Sequence, residues 1–304
     1  NAEHIMGSAF VMLDFIEDAA SKRIVFSGDL GSPHRLIIDS ADTIDEADAL
    51  FIESTYGDRD HKPIVQSVAE FKKAVIETLE RDGNVLIPSF ALERSQEVLW
   101  LLHEMFEEQE LPKCRVFLDS PLAIKATELY NKYPIHLSDE VELQAFGGQN
   151  PFSFPWLEHT VDRGDSMKIN NVEERAIIIA GSGMCNGGRI MHHLKNRLWN
   201  PNNAVVFVGF QVGGTLGRRI VDGDQYVKIY GEEILVRAKI YTINGFSAHG
   251  DQDDLIDWMK SIDGLEHIGL IHGETESMKR FAQAIKEKLG RDAEIVEYGI
   301  GIEV

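Results

Sequence analysis

Short apolar runs alternate along this chain with longer stretches in which apolar side chains recur every three or four residues. The runs "AFVMLDFI" and "KRIVFSGD" read as neighbouring strands, with "EDAAS" as the turn between them. "ADALFIES" is apolar up to a polar end, the pattern of a buried strand that delivers a loop to a site. Ile64, Val68, Phe71, Val75 and Leu79 fall on one helical face, which predicts a helix over 64–82 followed by Gly83. Strand "NVLIPSF", helix 93–109, strand "CRVFLDS" and helix 122–132 come next. Residues 134–175, with Pro134, Pro151 and Pro155, are expected to be irregular. Regularity resumes with strand "RAIIIAGSG", a helix near 188–198, strand "AVVFVGF" and a short helix after Gly214. "YVKIYGEEILVRAKIYTI" reads as a β-meander or hairpin series. Helix 252–261, strand "HIGLIHG", helix 276–288 and strand "AEIVEY" close the chain. Strands and helices alternate without internal repeats, so the class is α/β.

Polar residues recur where the apolar strands end: Asp29, Glu53, Ser89, Asp119, Ser182, His249 and His272. Open α/β sheets build sites beyond such ends, and a series this long points to a shared cleft. His4, Asp29 and His272 each stand near a glycine (Gly7, Gly28, Gly273), which permits close backbone approach, and they suit metal chemistry, which needs imidazoles and carboxylates from separate elements. Each has a plainer alternative, an Asx turn for Asp29 and a packed or surface imidazole for the histidines. His34, His61, His103, His136, His159 and His267 read as surface or packing residues. His192 and His193, adjacent in an expected helix, point to different sides and cannot face one ion together.

Composition narrows the class. A length of 304 residues holds one large or two medium domains with a sizeable core. No apolar run of about 18 residues is present, so no membrane span is expected. No charged-then-apolar leader opens the sequence. Cys114 and Cys185 stand far apart with no C-x-x-C, which fits a reducing cytoplasm. The net charge of −20 disfavours a non-specific nucleic-acid coat, yet leaves room for an enzyme in which bound metals and local arginines meet phosphates.

Taken together, the motifs resemble the β-CASP branch of the metallo-β-lactamase superfamily, RNA-processing nucleases. "AEHIMGSA" is similar to the family's third metal motif and "FSGDLG" to the fourth. "FIESTYGDRDH" resembles motif A, "GFSAHGDQDDLIDWM" motif B and "LIHGE" motif C. "IPSFALERSQEVL", "VFLDSPLAIKATELY", "GSGMCNGGRIMHHL" and "GFQVGGTLGRRI" resemble the inserted β-CASP domain. The resemblance implies an αββα sandwich, of which this would be the C-terminal portion, with an inserted α/β domain. The implied division is 1–57 and 236–304 for the metallo-β-lactamase part and 58–235 for the β-CASP domain. It further implies two zinc ions, with His4 on one, His272 on the other and Asp29 between them, and a hydroxide held by both. His249 would be the general acid, oriented by Glu53, and single-stranded RNA the substrate. Ser182, Thr215, Arg218 and Arg94 would contact RNA, although Glu93 stands where many relatives carry glycine. The family's H-x-H-x-D-H signature does not occur in these residues. The expectation is therefore a sequence that lacks an N-terminal part, is inactive alone, and has a sticky exposed sheet face. The alternative is a non-catalytic RNA-binding or scaffold subunit. A homodimer is compatible with either.

Overall fold

The computed structural model describes residues 1–17, 20–33, 35–243 and 245–303. His34 and part of the turn expected at "EDAAS" lie outside these residues. The chain opens with strands β1 (Val11–Glu17), β2 (Ala20–Phe26) and β3 (Ala49–Glu53). It continues through α1 (Ile64–Glu80), β4 (Val85–Pro88), α2 (Arg94–Glu107), β5 (Arg115–Leu118), α3 (Pro121–Lys132), α4 (Asp139–Phe146) and β6 (Leu157–His159). There follow α5 (Arg163–Lys168), β7 (Ala176–Ala180), α6 (Ile190–Arg197), β8 (Ala204–Phe207), α7 (Leu216–Val221), β9 (Tyr226–Ile229), β10 (Glu232–Leu235) and β11 (Lys239–Thr242). It closes with α8 (Gln252–Lys260), β12 (His267–Ile271), α9 (Thr275–Leu289) and β13 (Glu294–Ile295). Among the described residues no helix is long and apolar enough to cross a membrane.

Two compact units result. The first joins Asn1–His61 to Ala248–Val304, and the second is Lys62–Ser247. The second unit thus runs from 62 to 247, where the sequence motifs suggested 58 to 235. The difference at its far end has a structural cause: β11 pairs in parallel with β8, Lys239 opposite Ala204, and so belongs to the second unit's sheet.

The first unit is built on a sheet of order β1-β2-β3-β12-β13, parallel except for the β1–β2 pair. Val25, Leu50, Ile52, Ile268 and Leu270 bury one face against Leu255, Ile256 and Met259 of α8 and Phe281 and Ile285 of α9. A capping box between Asp251 and Asp254 starts α8, and left-handed Gly290 stops α9. On the other face Val11 stands opposite Phe26, and both are exposed.

The second unit carries six strands in the order β11-β8-β4-β7-β5-β6, with every pairing parallel. Leu86, Phe117, Ile178 and Val205 pack on Ile190 and Leu194 of α6 and Ile220 of α7. The intervening residues, such as Val85, Ile87, Ile177 and Ile179, are equally buried, which is why these strands read as unbroken apolar runs. Gly83 is required where it stands: a Cβ there would lie 1.8 Å from the Asn202 carbonyl oxygen.

Two stretches differ from the sequence reading. Residues 134–175 contain α4, β6 and α5 rather than irregular chain. Their helices lack an apolar stripe, since α4 buries only Val141 and α5 buries nothing; α4 instead gathers Asp139, Glu140 and Glu142 in its first turn, against the positive end of the helix dipole. The expected meander over 226–243 also divides. β9 and β10 form a separate hairpin, turned by Tyr230 and Gly231 at φ of 51° and 86°, the signs a two-residue type I′ turn needs. β11 leaves that hairpin for the six-stranded sheet.

Asp119, at the end of β5, is fully buried and saturated. It accepts from His193 Nε2 (2.7 Å), Thr160 Oγ1 (2.6 Å), Ser166 Oγ (2.8 Å) and Arg189 (2.8 Å). His193 faces inward from α6 while its neighbour His192 lies outside against Tyr230. Burial favours a neutral carboxyl, but the hydrogen bonds from His193, Thr160 and Ser166 outweigh it and hold Asp119 down to about 2. That lies below the unfolded value near 3.9, so a stabilisation on the order of 2 kcal/mol is present above pH ~4 and lost as pH falls toward 2. Asp119→Asn should lower stability by ~3–5 kcal/mol at neutral pH and flatten the loss between pH 4 and 2, read by urea unfolding at both ends. Equal unfolding curves for variant and parent would contradict this.

Candidate functional site

The first unit's chemistry begins with strand direction. β2, β3 and β12 are mutually parallel, with Phe26 opposite Phe51 and Glu53 opposite Ile271. Their carboxyl ends therefore leave the sheet at one edge, and Asp29, Glu53 and His272 emerge there together. The loop before β1 supplies His4 to the same place, and the loop before α8 supplies His249.

Glu53 is the deepest of these groups, with no exposed surface. Its carboxylate accepts from Leu30 N (2.7 Å), from Thr55 N (3.4 Å), and at 2.9 and 3.0 Å from Nδ1 of His249. Burial works against charge on His249, but the hydrogen bond and charge of Glu53, helped by Asp29, win and raise its pKa. His4 lies beside it, ring centroids 4.4 Å apart, and is pushed the opposite way. Burial, then the charge of His249, lowers the pKa of His4 despite Asp29 and Glu53. Its Nδ1 is buried without a hydrogen-bond partner.

Asp29 lies between two imidazoles. One carboxylate oxygen is 3.8 Å from His4 Nε2 and the other 3.1 Å from His272 Nδ1. Thr55 Oγ1 steadies His272 by donating to its carbonyl at 3.2 Å. Gly273 is needed beside it, because a Cβ there would meet the Ser54 carbonyl oxygen at 2.6 Å. Donor atoms of His4, Asp29 and His249 lie within 4.8 Å of one another, as do those of Glu53, His249 and His272. The donor set fits zinc: nitrogen and carboxylate oxygen from separate loops, one carboxylate with an oxygen toward each imidazole, and a His4 whose pKa is lowered, in the direction a ligand needs.

The five side chains singled out from the sequence, His4, Asp29, Glu53, His249 and His272, meet at this sheet edge, but the residues that hold their loops were not singled out. Arg35 donates to the carbonyls of His4 (3.3 Å) and Ala248 (3.0 Å), tying two loops that are distant in sequence. No local pattern marks it. His61, read as surface or packing, places Nε2 3.1 Å from the His249 carbonyl oxygen and its ring 4.5 Å from Tyr56. Both belong to the stretch "FIESTYGDRDH", so a signal existed.

The strand-end series divides between the units. Ser89, Asp119 and Ser182 belong to the second, the other four to the first. Within the second unit, Ser182 Oγ donates to the Gly187 carbonyl at 3.3 Å. Thr215 caps α7, accepting from Arg218 N and donating to the Val212 carbonyl. Arg218 clasps both oxygens of Asp222 at 2.8 and 2.9 Å. Arg94 is buried and paired with Glu97. The candidate RNA contacts are thus engaged inside their own unit.

Residues 95–220 match the family model of the Beta-Casp domain, and residues 233–296 that of the Zn-dependent metallo-hydrolase RNA specificity domain. The chain is 38% identical over 303 residues to Ribonuclease TTHA0252 of Thermus thermophilus, covering 100% of this chain and 68% of that protein. It is 34% identical over 292 residues to an RNase J-like protein of Methanocaldococcus jannaschii, covering 95% and 66%. To the transcription termination factor FttA of the same organism it is 32% identical, covering 94% of this chain and 46% of that protein. The chain therefore spans about two thirds of the first two relatives and under half of the third.

The Glu53–His249 pair can be tested on its own. In chelator-treated protein, NMR titration should place His249 above the ordinary imidazole value of about 6.5. Glu53→Gln should drop it below that value, because burial then acts with little opposition; an unmoved His249 would show that Glu53 is not what raises it.

Proposed function

The chain belongs to the β-CASP family of the metallo-β-lactamase superfamily, and from that footing we propose that the cluster at the edge of the first unit's sheet hydrolyses RNA phosphodiester bonds with two zinc ions. The observation that carries this reading is geometric: Asp29 lies between His4 and His272, while beside them His249 keeps Nδ1 on the buried carboxylate of Glu53. Ligands for metal and a separately held imidazole that can donate a proton are what hydrolysis needs.

His4 and His272 would each hold one ion, and Asp29 would offer one carboxylate oxygen to each. When bound, the ions would supply an ionised water at neutral pH and draw charge from the phosphate oxygens. The protein's own part is proton delivery. Glu53 fixes the His249 ring through Nδ1, and Nε2 is the nitrogen that would give its proton to the departing ribose oxygen. Arg35 and His61 hold the backbone of the His249 loop and so set the direction of delivery. In the second unit, Ser182 and Arg218 would contact phosphates, Arg218 by exchanging Asp222 for RNA. Thr215 and Arg94 would act at one remove, by capping α7 and by fixing the start of α2. His4, Asp29 and His272 are few ligands for two ions, so these 304 residues alone should hold zinc weakly and cleave slowly.

His249→Ala should cut cleavage of a labelled single-stranded RNA by about 10²–10⁴-fold with zinc content unchanged. Asp29→Ala should lose zinc and cleavage together. Loss of zinc in His249→Ala would make His249 a ligand instead. RNA binding without cleavage by the metal-loaded full-length protein would favour the scaffold reading.

A further inference from the structure

Glu3 carries two costs in the first unit that the hydrolytic cluster does not explain. Its backbone is left-handed, with φ of 62°, a conformation that strains a residue other than glycine. Its side chain is buried, with 2% of the residue exposed. One carboxyl oxygen accepts from Ala41 N at 2.9 Å, while the other, Oε1, is buried without a hydrogen-bond partner among the described residues. The chain makes room for this side chain: a Cβ on Gly31 would lie 2.7 Å from Glu3 Cγ and 2.3 Å from the Glu3 carbonyl oxygen. Burying a carboxyl with one oxygen unmet is expensive, and the Ala41 amide accounts for Oε2 alone.

Glu3 lines a cavity of about 170 Å³ within the first unit. That is below the ~300–1,000 Å³ of sites for whole small molecules and suits the end of a long side chain. Leu30 and Leu255 give it apolar walls. Trp258 adds a half-buried indole, held in place by Phe10 at 5.9 Å between ring centroids and by its own Nε1, which donates to the Asp42 carbonyl at 3.0 Å. Asp254 and Asp257, one turn apart on α8, bring two further carboxyl groups. Asp254 also closes the capping box of α8, and Asp257 pairs at the surface with Lys260. Acidic groups, apolar walls and an indole together select a cation on an apolar stem. A bare metal ion is a poor match: among the described residues, the groups of three donors within 4.8 Å of one another belong to the hydrolytic cluster. A guanidinium suits the cavity best, because its plane can lie on the indole while its N–H fork reaches a carboxyl oxygen. Free arginine would bring its own carboxylate to the unit that holds most of the chain's net charge of −20, whereas an arginine within a basic segment brings none.

We propose that this cavity receives an arginine side chain from a basic segment of a protein partner, its guanidinium meeting Glu3 Oε1 and lying against Trp258. The inference does not depend on the nuclease reading. It does bear on it, because Glu3 precedes His4 and Leu30 follows Asp29, so the loops that wall the cavity are those that carry two of the proposed ligands.

The test is calorimetric titration of the full-length protein with acetyl-arginine amide, which presents the side chain as a peptide does. Burial pushes the Glu3 carboxyl up to about 8, so the titration is run near pH ~9, where all three acids are charged. The expected result is saturable one-to-one binding with Kd below about 10 mM, and at least about 10-fold weaker binding of acetyl-citrulline amide, the neutral isostere. Acetyl-lysine amide and free L-arginine should each bind at least about 3-fold more weakly than acetyl-arginine amide. Glu3→Gln keeps an acceptor for Ala41 N and should lose about 10-fold; Trp258→Leu should lose about 3- to 10-fold. Asp257→Asn changes only an exposed group, so it keeps the test open should either of these fail to fold, and it should lose at least about 2-fold. Absence of saturable binding, citrulline bound as well as arginine, or folded variants that bind as the parent does would overturn the site. Lysine bound equally well would overturn the guanidinium, and free arginine bound more tightly than the amide would overturn a chain-borne source.

Discussion

Glu53 places a carboxylate where water does not reach it, and the loops of the first unit are arranged to offset that cost. Leu30 N–H, next in sequence to Asp29, points at it from the loop after β2; Thr55 N–H points at it from the turn just after β3; His249 reaches it from the loop before α8. One buried acceptor thereby sets the relative positions of the carboxylate between the imidazoles, the end of the central strand and the histidine read as the acid. Removing it would leave buried donors without an acceptor, so site geometry and local stability share one cause.

The second unit contains a buried carboxylate at a strand end too, and the contrast is instructive. Asp119 is satisfied entirely from within, by a buried neutral histidine, two hydroxyls and an arginine. Glu53 accepts from His249, which is as exposed, at 21%, as the Arg189 that meets Asp119. The same residue class thus stands at the same topological position in both units, a buried carboxylate just where a parallel strand ends. What separates them is the company of the partner: the His249 ring lies 4.4 Å from that of His4 and 5.9 Å from that of His272.

Much of this was legible in the sequence because parallel sheets write themselves plainly. Strands buried on both faces appear as runs such as "AIIIA", and the next polar residue is the one delivered to the sheet edge. That is how Asp29, Glu53 and His272 could be found. His249 was noticed at the end of an apolar run and His4 beside a glycine, but neither follows a strand of this sheet, and their distinct roles came only from the family motifs. Arg35 and His61 act through backbone carbonyls of residues far off in sequence, and nothing in local pattern announces such a contact. α4 and α5 escaped notice because helices that bury almost nothing show no apolar period.

The central claim is that His4, Asp29 and His272 hold the metal while His249 stays bound to Glu53. Anomalous diffraction at the zinc edge, from crystals of the full-length protein grown with zinc, addresses it directly. The account predicts metal peaks on both sides of the Asp29 carboxylate, with His4 and His272 nitrogens at ~2.0–2.1 Å and His249 Nδ1 still on Glu53. A peak coordinated by His249 and Glu53 would contradict it.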